Sequence, residues 1–219
     1  MTFYTKNENG FVQARASDWK GKRKFCILAH GSCSSERDWT FQKEKTDYGS
    51  RLYQDLGYTP LYLRYNSGLH ISTNGKRLSK LLEKLVTDSD TIEEIIFIGH
   101  SMGGLVFRSA CYYGEKEKKT WIKYVRKIFY LGSPHLGTHL EKLGKLTTTI
   151  LRKIPNPIVR IIASAGDLRS VGIKDLRHGY ILDNDWNHQK ADDLSISQKT
   201  QHLFLKTQII IQFVARFQK

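Results

Sequence analysis

Four apolar runs, KFCILAHG, TPLYLRY, IEEIIFIG and YVRKIFYLG, recur through the first 132 residues, and segments of helical periodicity separate them. TDYGSRLYQDLGY carries apolar positions at helical spacing with Gly57 as its stop, and NGKRLSKLLEKLV sets Leu78, Leu81, Leu82, Leu85 and Val86 on one helical face. LVFRSACYYG reads as a third helix closing at Gly114. Strands that alternate with helices need crossover connections, which are right-handed and leave the strands parallel. The expected fold class is therefore α/β, a mostly parallel sheet with helices on both faces. Ahead of it, TFYTK and FVQARA flank the turn Asn7–Gly10 and read as a short hairpin.

At 219 residues and 40% hydrophobic content, the chain can bury one substantial core, so a single domain over 1–219 is expected. No run reaches the roughly 20 apolar residues of a membrane span, and the N-terminus lacks the apolar segment of a signal peptide. A cytoplasmic protein is the resulting expectation. Cys26, Cys33 and Cys111 are odd in number and show no CxxC spacing, so reduced thiols are expected rather than a disulfide framework or a zinc site. A formal charge of +14 favours encounter with acidic membrane surfaces. The basic residues are spread along the chain without a nucleic-acid-binding signature, so no nucleic acid partner is expected.

Chemistry concentrates at Gly99-His-Ser101-Met-Gly103, which fits G-x-S-x-G between the strand IIFI and the helix LVFRSA. A serine at the end of a buried strand must turn sharply into the next helix, and glycine on either side relieves the crowding. Ser101 is the candidate nucleophile and Gly99 and Gly103 are the elbow glycines. His100 is read as a packing residue and not as the base. His30-Gly31-Ser32 ends the first core strand, where the backbone amides of Ser32 and Met102 would form an oxyanion hole.

With these motifs the chain resembles the α/β-hydrolase lipases and esterases, and more narrowly the bacterial lipase-like proteins grouped with the GPI-inositol deacylases. The resemblance rests on LAHG, LGYTPLYLRYNSGLHISTNG, IGHSMGGLVFRSACYYG, YLGSPHLGTHLEKLG and SVGIKDLRHGYILDNDW. It implies an α/β-hydrolase fold and hydrolysis of a lipid or other hydrophobic carboxylic ester through an acyl-enzyme on Ser101, without metal or organic cofactor. An acyltransferase or thioesterase would use the same elbow. The stretch 138–186 is expected to form a cap over an acyl pocket.

In such hydrolases an acid and then a histidine follow the serine. His135 in SPHLG is read as shaping its loop. His178, His188 and His202 stay open as base, and Asp167, Asp175, Asp183 and Asp185 as acid. The tail from 198 to 219 departs from the family pattern, and a shifted reading frame would restore a proline-containing loop and an aromatic strand. The acid and base are thus expected to be missing, with the sheet truncated at its C-terminal strands and an inactive remnant as the rival reading.

Overall fold

The computed structural model describes residues 1–40, 46–89, 91–137 and 170–187, and the backbone of 209–213. Its centre is a seven-stranded sheet of order β2-β1-β4-β3-β5-β6-β7, formed by Thr2–Asn7 (β1), Gly10–Gln13 (β2), Lys24–Ala29 (β3), Thr59–Arg64 (β4), Glu94–His100 (β5), Val125–Leu131 (β6) and Ile209–Phe213 (β7). From β4 to β7 all neighbours are parallel, and the hairpin β1–β2 joins antiparallel through β1 against β4. The α/β expectation holds.

Alternation along β3 shows how the sheet acquires two faces. Phe25, Ile27 and Ala29 belong to the larger core, with Ile71, Leu78, Leu82 and Leu85 of α2 (Ile71–Thr87) and Leu105, Val106 and Phe107 of α3 (Met102–Lys116). Cys26 and Leu28 point the other way, toward Trp39, Tyr58 and Tyr62 and the partly buried Leu52 of α1 (Tyr48–Leu56). Successive strand side chains face opposite sides, so one apolar run serves both cores. Phe97 stacks on Phe107 with ring centroids 4.5 Å apart, locking β5 to α3. The thiols of Cys26 and Cys111 are buried and that of Cys33 is half-buried.

The helix stops differ in kind. Asp47 caps α1 by accepting from the Ser50 amide at 2.9 Å, and Gly57 ends it in the left-handed region at φ 72°. Gly114, by contrast, does not stop α3, which runs on to Lys116. A Cβ there would lie 2.6 Å from the Trp121 ring, so this glycine answers a packing demand.

Beyond β6, residues 138–169 of the expected cap lie outside the described residues, whereas its end forms α4 (Val171–His178) and α5 (Asp183–Asn187). The tail supplies β7, which pairs with β6 from Lys127↔Ile209 to Leu131↔Phe213 and is the last strand among the described residues. The rest of the tail, 198–208 and 214–219, lies outside them. No helix among the described residues is long and apolar enough to cross a membrane.

Candidate active site

Ser101 sits between β5 and α3 with φ 50° and ψ −118°, a backbone conformation that L-residues rarely adopt. The neighbouring backbone dictates the glycines around it. A Cβ at Gly99 would stand 2.5 Å from the Gly104 nitrogen, and one at Gly103 would stand 2.4 Å from the Ala29 carbonyl oxygen. Only glycine lets α3 start this close to both strand ends. The Ser101 amide donates to the Leu131 carbonyl at 2.9 Å and so fixes the elbow to β6. Its side chain makes no capping bond to α3, and Met102, the first residue of that helix, is fully buried.

The loop after β3 lies directly beside the serine. A Cβ at Gly31 would be 3.2 Å from Ser101 Cβ and 3.1 Å from His100 Nδ1, which places His100 over that loop. Several bonds hold the loop. The His30 ring stacks on Tyr65 at 4.4 Å, its Nδ1 donates to the Gly31 carbonyl at 2.8 Å, and the Tyr65 hydroxyl donates to the His30 carbonyl at 2.7 Å. Burial lowers the His30 pKa, keeping the ring neutral. The Cys33 amide reaches Ser67 Oγ at 3.3 Å, and buried Glu36 accepts a bidentate pair of bonds from Arg64, with Nε at 2.8 Å. Ser32 is thereby carried on a loop that the end of β4 and the residues directly after it immobilise.

His135 is committed elsewhere. Its Nδ1 accepts from Arg108 Nη1 at 3.0 Å, since a guanidinium can only donate, and its ring edge meets Tyr130 at 4.4 Å. Burial and the adjacent Arg108 charge push its pKa down to about 4. The ring is therefore neutral near pH 7, with its proton on Nε2, and Nδ1 is unavailable. His178 is exposed and stacks on Tyr180. Asp185 accepts from the Ile181 and Leu182 amides at 2.8 and 2.9 Å. Asp183 pairs with Lys76 and, among the described residues, receives nothing from a histidine, its amide instead donating to the Tyr113 hydroxyl at 3.0 Å. Asp167, His188 and His202 lie outside the described residues.

Asp175 has a histidine partner that sequence reasoning missed. It is 1% exposed and accepts from His70 Nδ1 at 3.0 Å and from the Ile71 amide at 2.8 Å. Burial raises its pKa to about 6, against the pull of that amide and of His70. The two segments that carry these residues, LRYNSGLHIS and SVGIKDLRHG, were both noted in the sequence; nothing in their spacing links residues 105 positions apart. Arg108 was likewise inconspicuous, one cation within a helix otherwise read for its apolar face.

Residues 20–208 match the family model described as "Putative serine esterase (DUF676)". Among solved structures, the chain is similar to the Bacillus licheniformis lipase BlEst2 in its propeptide form, at TM-score 0.50 and 17% identity, covering 74% of this chain and 31% of that one. The mature form of BlEst2 gives 0.48 and 18%, covering 74% and 57%. YbtT, a type II thioesterase from the yersiniabactin pathway, gives 0.42 and 18%, covering 74% and 64%. The chain thus spans less than two thirds of each of these proteins. No curated protein matches it in sequence. The likeness to the propeptide form of BlEst2 shows the α/β-hydrolase fold, and the family match covers most of the sequence: the chain belongs to the serine esterase family of that description.

Proposed function

We propose that this chain is a serine ester hydrolase in which Ser101 Oγ attacks the carbonyl carbon of a hydrophobic carboxylic ester. The attack forms an acyl-enzyme and releases the alcohol, and water then frees the acid and restores the serine. The amides of Ser32 and Met102 bind the oxyanion. The observation that carries this reading is the backbone of Ser101, held at φ 50° where strand meets helix, with the Gly31 loop 3.2 Å from its Cβ by the measure of a built-in methyl. Strain of this kind costs about 1–3 kcal/mol and persists where surrounding structure enforces it, as an exposed nucleophile requires.

A second reading has one specific observation in its favour. Among the described residues no histidine hydrogen-bonds the Ser101 side chain, and His135 carries its proton on Nε2 because its Nδ1 accepts from Arg108. Either His178, His188 or His202 serves as the base, or the chain is an inactive remnant. Hydrolysis of medium-chain ester substrates by the full chain tests both. Turnover lost in Ser101→Ala and in one of His178→Gln, His188→Gln or His202→Gln supports the hydrolase. Absence of turnover in a folded wild type supports the remnant.

A further inference from the structure

Helix α4 is anchored at both ends by backbone. Near its start, Gly172 approaches the loop after β4 so closely that a Cβ would lie 2.1 Å from the Ser67 carbonyl oxygen. At its end, Gly179 packs on the loop after β6, where a Cβ would lie 2.7 Å from the Gly137 nitrogen. β4 and β6 are separated in the sheet by β3 and β5, a span of three strand spacings or about 14 Å. An eight-residue helix is about 12 Å long. α4 therefore bridges the rim of the sheet across the strand ends that deliver the Gly31 loop and Ser101. Val171 and Ile173 on it are only half-buried, whereas Leu176 is buried in the core.

One buried cluster pins the middle of this bridge. His70, the N-cap of α2, makes no side-chain cap of its own. Asp175 supplies the cap from α4 by accepting from the Ile71 amide while holding His70 Nδ1. Trp186 closes the far side, stacking on His70 at 4.0 Å with planes 7° apart and donating from Nε1 to Ser72 Oγ at 3.1 Å. A carboxylate at a helix N-terminus with a histidine donor has the polar partners it needs, so α4 has one stable seat.

We propose that His70 and Asp175 are specificity-determining positioning residues: they seat α4 as the wall of the acyl site, so that long acyl chains lie against Val171 and Ile173. This rests on the reading of Ser101 as nucleophile. Among the described residues neither side chain hydrogen-bonds Ser101, and the effect of the pair grows with the length of chain that reaches the wall.

The test labels the full chain with two alkyl fluorophosphonates, one carrying a short ethyl chain and one a long dodecyl chain, and follows backbone amide exchange in α4. Asp175→Asn is expected to slow the dodecyl probe about tenfold, with the ethyl probe changed by less than about threefold, and to lower α4 protection. His70→Gln, which keeps a donor toward Asp175, is expected to retain both rates and the protection. Equal slowing of the two probes, or no change in either, overturns the proposal. No labelling of the folded wild type overturns the nucleophile reading and the selectivity role with it, while α4 exchange still reports whether the pin itself holds.

Discussion

Arg108 donates a hydrogen bond to His135 Nδ1 at 3.0 Å, from a helix position two turns below Ser101. A motif histidine is thereby made a fixed neutral ring whose Nδ1 is already occupied. NMR titration of the ring is expected to show no protonation of His135 between pH 8 and pH 5 and an Nε2–H tautomer, in line with a pKa near 4. Arg108→Leu removes the repelling charge and is expected to move the titration upward.

Stability should carry the same signature. The folded-state pKa of His135 is below its ordinary value of 6.5, so its contribution is fully present above that value and is lost as pH falls from 6.5 toward 4. The loss is bounded by about 3 kcal/mol. Asp175 has the opposite sign, because its folded pKa of about 6 lies above the ordinary 3.8, and its ionisation cost is relieved as pH falls through 6. Urea unfolding between pH 7 and pH 4 separates them. His135→Gln is expected to flatten the acid loss, and Asp175→Asn to steepen it.

The strained serine sets up a trade between stability and chemistry. Glycine adopts positive φ without penalty, so Ser101→Gly is expected to raise the unfolding free energy by about 1 kcal/mol while abolishing reaction with acylating probes. Ser101→Ala should abolish the reaction without that gain, since alanine keeps the Cβ. Chemical denaturation of the three proteins side by side measures the difference.

Gly103→Ala meets backbone, with the Ala29 carbonyl oxygen 2.4 Å and the His30 carbonyl oxygen 2.6 Å from the new carbon. Neither can retreat without moving the end of β3. A loss of more than about 2 kcal/mol in thermal or urea unfolding is expected, typical of overpacking against a rigid neighbour. Gly31→Ala meets side-chain atoms, His100 Nδ1 at 3.1 Å and Ser101 Cβ at 3.2 Å, which can shift by tenths of an ångström. It should therefore fold, and its cost should fall on the reactivity of Ser101.

The sheet was legible in sequence because each of its parallel core strands from β3 to β6 is an apolar run, and period-two alternation along KFCILA distributes side chains between two cores. Gly57 could be read as a helix stop because its role is local. Gly114 could not, because the ring that requires it, Trp121, arrives from the following segment. The elbow was legible for the same local reason as Gly57. The Asp175–His70 and Arg108–His135 pairs were not, since each joins groups that only the folded rim of the sheet brings together, and a lone Asp, His or Arg in sequence has many uses. β7 lay hidden in a tail that departs from the family pattern, although Ile209–Phe213 is itself an apolar, β-branched run.

The central claim is that Ser101 is a nucleophile. Its most direct measurement is covalent labelling of the folded full chain by an alkyl fluorophosphonate, with the modified residue located by mass spectrometry of the digested protein. The expected result is a single phosphonate adduct on the peptide containing Ser101, absent from Ser101→Ala. A folded wild type that acquires no adduct there, or acquires it equally in Ser101→Ala, contradicts the account.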